Sequence, residues 1–241
     1  MDHESLKNSP TKDSVENLEF SPPHGSGPGL LLVEATDRKA QLIRSARQFA
    51  EEGYCVIARP LPENMNRETL IKLITSGIVK LKQHPKIVGK IGIIFYGDTK
   101  SNQILESDEI EVDCAVTYCD DLLSRKALQA VKADSVICHS IEETKDSDTP
   151  KTFYYPDCER RFFDENNISY NKPAASMAYS RTLALLRSNL GPIFDIQSLW
   201  EKHTMFEFAE RDVDKTMETM VAEPYVNHIP TMTGGVGYEN L

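Results

Sequence analysis

The sequence contains no apolar run approaching the roughly 20 consecutive residues that a membrane-spanning helix needs. It also lacks a basic excess: 27 Lys and Arg stand against 37 Asp and Glu, for a formal net charge of -10. A general nucleic-acid binder needs a basic face to neutralise phosphates, so this balance argues against one, and docking on anionic lipid is disfavoured on the same ground. Cysteine is scarce and unpatterned. Cys55, Cys114, Cys119, Cys138 and Cys158 are odd in number and form no CxxC pair. This excludes a disulfide framework and a Cys/His zinc spacing, and it predicts reduced, mostly buried thiols in a cytoplasmic protein. HExxH, GxxxxGK[ST] and GxGxxG are all absent, so neither a metal nor a nucleotide-type cofactor is expected. GGVG at 234–237 reads as a turn, because no helix follows it. The opening MDHESLKNSPTKDS is polar and acidic, unlike a secretory signal or an Arg-rich transit peptide.

What the sequence does have is a rhythm. Residues 1–28 are rich in Ser, Pro, Lys, Glu and Gly with scattered apolar residues, and read as a disordered tail. From residue 29 short apolar runs alternate with amphipathic segments. GLLLVEA (29–35), YCVIARP (54–60), KIGIIFYG (90–97), VDCAVTY (112–118), SVICHS (135–140) and TFYYP (152–156) read as strands. Helices are predicted over 37–52, over 67–82 with Asn66 as cap, from Asp120 to about Lys132, and over 173–190 with Pro173 at the start. Strands alternating with helices give an α/β fold, a mostly parallel sheet with helices on both faces. Residues 191–241 break the rhythm and predict a mainly helical extension, with helices through the 190s to about 209 and over 213–221.

In this frame IRSARQFAEEGYCVIARPLP (43–62), GKIGIIFYG (89–97), VDCAVTY (112–118) and YYPDCERRFFDENNISYNKPAASMAYSRTLALL (154–186) resemble the dienelactone hydrolase family of the α/β-hydrolase superfamily. The last segment carries most of the likeness: Tyr-Pro, a double Phe, Ser-Tyr, then an Ala-rich helix ending in Arg-Thr-Leu. The resemblance covers roughly 29–190 and lacks the family's first strands. Residues 195–241 resemble the opening of a nuclear-transport-factor-like, polyketide-cyclase-like cone domain.

The resemblance implies a Cys-His-Asp triad: a thiolate that attacks, an imidazole that shuttles the proton and a carboxylate that orients the ring. Carried over residue by residue, the nucleophile's place in the family's Gly-Phe-Cys-x-Gly-Gly turn falls on Gly97, within Phe95-Tyr96-Gly97-Asp98-Thr99-Lys100. The histidine's place, before the double Phe, falls on Arg160, and Arg stays protonated and cannot act as a base. The aspartate's place falls on Glu143 or a neighbour such as Asp146. Either Glu34 or Ala35 lies opposite the family's acid at the end of the first strand.

Three readings follow. One is a hydrolase-like protein without the chemistry, binding a small carboxylate or lactone, or a protein partner, through Glu34, Asp98 and Arg160. Another is an active carboxylic ester or lactone hydrolase with a rebuilt site, drawing on Asp98, Thr99, or His139 with Cys138 or Cys158. The third is a relict copy without a selected function. His228 is expected to be exposed. The polar segment DTKSNQILESDEIE (98–111) stands where the family buries a longer apolar helix, which predicts uncovered sheet surface.

Overall fold

The computed structural model describes residues 17–23, 25–62, 65–97, 104–118, 136–141, 151–193, 195–221, 224–228 and 230–237. They divide into two compact units, Met1–Pro192 and Ile193–Leu241.

The first unit is built on a seven-stranded sheet: β1 (Leu18–Phe20), β2 (Gly27–Ala35), β3 (Cys55–Leu61), β4 (Ile87–Tyr96), β5 (Cys114–Tyr118), β6 (Val136–Ser140) and β7 (Lys151–Tyr154). Its order is β1-β3-β2-β4-β5-β6-β7. Every pairing is parallel except β1 with β3. Leu18–Phe20 and residues 27–28 are therefore part of the sheet and not of a disordered tail; the former pairs with β3's outer edge, and Gly27 pairs with Ile87 of β4. The earlier residues of the predicted tail, 1–16, lie outside the described residues.

β2 is buried along nearly its whole length, as an interior parallel strand must be. Gly27 starts it because a Cβ there would meet the Gly53 carbonyl oxygen at 2.0 Å. Alternation along the strands then sorts side chains into two layers. Leu31, Val33, Ile57, Ile93 and Phe95 face α2 (Arg67–Gln83), which contributes Leu70, Ile71, Ile74, Ile78 and Leu81. Leu30, Leu32, Val56, Ile94 and Val116 face the other way, toward Leu42, Ala46 and Phe49 of α1 (Lys39–Glu51) and Ala178 and Leu186 of α3 (Lys172–Leu190). The predicted cap at Asn66 is formed, its side chain accepting from the Thr69 N–H; Asn171, not singled out from the sequence, caps α3 by accepting from the Ala174 N–H. Each such cap contributes about 1 kcal/mol.

The expectation of uncovered sheet surface after β4 is corrected. Ile104, Leu105 and Ile110 are buried in the same cluster as Phe95 and Ile93, so apolar side chains of this polar segment help cover that face. The helix predicted from Asp120 to Lys132 lies outside the described residues.

The second unit holds α4 (Ile196–Thr204), a π-helical turn over Met205–Glu210, α5 (Val213–Glu218) and an antiparallel hairpin of β8 (Tyr225–His228) and β9 (Thr233–Val236). Gly234, Gly235 and Val236, read from the sequence as a turn, form β9 instead, because β8 offers them an edge to pair with.

Candidate functional site

The sheet order reverses between β2 and β4. β3 lies outside β2 on one side, and β5, β6 and β7 follow β4 on the other. In parallel sheets the crevice beyond the strand ends at such a reversal is where ligands bind. Two residues considered from the sequence stand there: Glu34, the penultimate residue of β2, and Gly97, the first residue after β4.

Gly97 leaves the strand with φ +64, and its N–H donates to the Tyr118 carbonyl of the neighbouring strand at 2.8 Å. A sharp strand exit of this kind lifts a nucleophile above the sheet in α/β-hydrolases. Here the apex has no side chain. A Cβ at Gly97 would lie 3.0 Å from Nη2 of Arg161 and 3.3 Å from Oε1 of Glu34.

Arg161, and not Arg160, is thus the arginine at the crevice. The loop after β7 tightens through Phe162 N–H to the Glu159 carbonyl and Asp164 N–H to the Arg161 carbonyl. Within it Arg161 takes a left-handed conformation, φ +65, while Phe162 and Asp164 are buried beneath it. This reversal turns Arg161 inward and leaves Arg160 exposed. The doublet was visible in the sequence; which member turns inward is decided by a backbone conformation that non-glycine residues rarely adopt.

Glu34 is 1% exposed, and its Oε1 lies 3.3 Å from Nη1 of Arg161. Its other oxygen, Oε2, is buried without a hydrogen-bond partner among the described residues. Burial pushes the carboxyl up from 4.5 to about 7, against the opposing pull of the Arg161 charge. The buried Asp164 carboxylate adds a smaller upward push, and its own cationic neighbour is Arg38, at 3.8 Å. Glu34 can therefore exchange a proton near neutrality beside a fixed cation.

His139 lies elsewhere. It is buried in β6, with Nδ1 3.0 Å from the Tyr155 hydroxyl and Nε2 3.0 Å from Thr182 Oγ1. Thr182 is also 2.8 Å from the Tyr118 hydroxyl, and Arg181 donates to the Tyr155 hydroxyl at 3.1 Å. Both ring nitrogens are thus engaged by hydroxyls and neither by a thiol. Burial, with the Arg181 charge, lowers the imidazole to about 3. Cys138 is buried, and Cys158 is half-buried with its thiol pushed up by desolvation. This relay was not foreseen from the sequence, because its members come from β5, β6, the start of the loop after β7 and α3. Among the described residues no group of three or more His, Cys, Asp or Glu could hold a metal ion, and no helix is long and apolar enough to cross a membrane. Asp98, Thr99, Glu143 and Asp146 lie outside the described residues, as does the side chain of His228.

No family model and no curated protein matches the sequence. Among solved structures, a dienelactone hydrolase-like promiscuous phosphotriesterase from metagenomic libraries superposes with TM-score 0.56 at 12% identity, over 74% of this chain and 99% of the other. A candidate dienelactone hydrolase from Klebsiella pneumoniae gives TM-score 0.48 at 17% identity, over 72% and 98%. An esterase from Pyrococcus furiosus gives TM-score 0.48 at 13% identity, over 74% and 94%. Likeness at such identities is likeness of fold: the chain has an α/β-hydrolase fold.

Proposed function

We propose that this chain keeps the α/β-hydrolase scaffold without the family's Cys-His-Asp chemistry and uses the crevice between β2 and β4 to bind a small carboxylate. The observation that carries the reading is Gly97. At the strand exit where a nucleophile would project, the nearest groups to an added Cβ are the Arg161 guanidinium and the Glu34 carboxyl. A guanidinium carries five N–H donors in a planar fork that matches a carboxylate. Its contact with Glu34 engages Nη1. Protonated Glu34 would leave the cation uncompensated and could itself donate to the ligand.

A cytoplasmic setting suits the absence of disulfides among the four described cysteines. The alternative, an ester or lactone hydrolase with a rebuilt site, is less well supported, because the hydroxyl partners of His139 leave it neither a thiol to activate nor a nitrogen free for substrate.

The test is direct. Purified protein is assayed with p-nitrophenyl acetate and a dienelactone and treated with a thiol-directed suicide substrate. No turnover and no burst labelling are expected; turnover abolished by one substitution would defeat the reading. A thermal-shift series with acetate and benzoate should raise the melting midpoint. Glu34 titrates at about 7, so the shift should be larger at about pH 6 than at about pH 8. It should vanish in Arg161→Ala and survive in Arg160→Ala.

A further inference from the structure

Beside the crevice, on the α1 and α3 face of the sheet, lies a cavity of about 220 Å³. It includes neither Glu34 nor Arg161, and it meets the His139 relay only at Tyr118. Its inner wall is aromatic. Tyr96 and Tyr118 stack with ring centroids 5.0 Å apart, and Phe163 packs against both at 5.5 and 5.1 Å. Tyr179 and Tyr170 close the α3 side. An apolar cavity of roughly 150 Å³ holds benzene, so this one has room for a single substituted ring and little more.

The polar groups around the cavity are mostly engaged. The Tyr118 hydroxyl is held by Thr182, and the Tyr179 hydroxyl donates to Glu52 at 3.2 Å. At the mouth Arg44 is paired with Glu165, which also accepts from the Tyr170 hydroxyl, so the entrance carries no net charge. The exception is Gln41. It lines the cavity and is 7% exposed, and its carbonyl oxygen Oε1 has no hydrogen-bond partner among the described residues. Its amide nitrogen makes only a 3.4 Å contact with Ser45, at the limit of a hydrogen bond, so the amide can turn its oxygen toward the cavity. A buried acceptor without a donor is costly, and a ligand that supplies one gains what the protein lacks.

We propose that this cavity is a binding site for a small neutral aromatic molecule bearing a hydroxyl donor, a phenol, with the ring between Tyr118, Phe163 and Tyr179 and the hydroxyl donating to Gln41 Oε1. An uncharged mouth and an orphan acceptor both disfavour a carboxylate here. The site is therefore separate from the anion site proposed at Arg161, and it stands whether or not that reading does.

The experiment is calorimetric titration of the full chain with phenol, toluene and benzoate. Phenol is expected to bind roughly tenfold more tightly than toluene, because only phenol satisfies the acceptor. Gln41→Leu should erase that preference. Ser176→Phe, an exposed position on the rim, should abolish phenol binding while circular dichroism shows the fold intact. Arg161→Ala should leave phenol binding unchanged whatever it does to benzoate. The proposal is overturned if phenol fails to bind, if it binds no better than toluene, or if its binding persists in Ser176→Phe. Should Gln41→Leu fail to fold, Gln41→Glu replaces it: a carboxylate still accepts, so phenol binding is expected to survive, and its loss would count against the proposal.

Discussion

Two buried ionisable groups on the same face of the sheet have opposite fates. His139 has a hydroxyl at each ring nitrogen and is pushed down to about 3; Glu34 has Oε1 on Arg161 and Oε2 without a hydrogen-bond partner among the described residues, and is pushed up to about 7. Desolvation favours the neutral form in both cases. The difference lies in what surrounds that form. Around the imidazole every polar atom is answered by another protein group, so it is a structural element with nothing left to offer a ligand. The carboxyl keeps one oxygen unanswered beside its arginine at the end of β2. That oxygen is one of several buried polar atoms without a partner among the described residues, and at this place a ligand would supply what is missing.

The largest expected effect probes the satisfied side of that contrast. The folded-state value of His139 lies below its ordinary 6.5, so its contribution to stability is present above about 6.5 and is lost as pH falls through about 3. At roughly 1.4 kcal/mol per pH unit of separation, the loss is on the order of 3–5 kcal/mol. His139→Gln can still meet Tyr155 and Thr182 but cannot take a charge. Urea unfolding from about pH 7 to about pH 3 should therefore show the wild type losing this amount relative to the variant. Parallel curves would mean that the relay is not neutral imidazole held by hydroxyls.

Next in size is Glu34, with the opposite sign. Its folded value lies above 4.5, so its contribution is complete below about 4.5 and is lost as pH rises through about 7. Glu34→Gln cannot ionise, so relative to wild type it should gain about 2–3 kcal/mol between about pH 4.5 and about pH 8. The comparison would break if this difference were flat, for that would place Glu34 among the ordinary ionised carboxylates.

Much of the scaffold was legible before any coordinates. The β2 and β4 runs, the 3.6-residue spacing in α1 and α2, the cap at Asn66 and the Pro173 start of α3 each rest on a local rule, and each formed within a few residues of where it was expected. What was not legible depended on partners distant in sequence. Leu18–Phe20 is too short and polar to announce itself, and becomes a strand only because β3 has a free edge. Arg161 and Arg160 are chemically identical, and one backbone angle chooses between them. Thr182, His139 and Tyr155 give no signal of a relay until α3 crosses β6, and Gln41 is an unremarkable helix residue until Tyr96 and Tyr118 wall its surroundings. The carboxyl and the glycine of the crevice could be named from the sequence; the cation between them could not.

The smallest effect sharpens the comparison at that cation. Gly97→Ala places a Cβ in left-handed backbone, φ +64, at a cost of about 1–2 kcal/mol. The new methyl would sit 3.0 Å from Arg161 Nη2, the far end of a flexible side chain, so the guanidinium should yield and not the strand. Moving it away weakens the pull that holds Glu34 down, and the carboxyl should titrate still higher, which a carbon-13 NMR titration of Glu34 can follow. In a double-mutant cycle with Arg161→Ala the two substitutions should couple by at least 0.5 kcal/mol, roughly the threshold above which contacting residues are recognised. Strict additivity, with an unchanged Glu34 titration, would show that arginine and glycine do not share the apex, and the crevice would then be no more special than the satisfied core beside it.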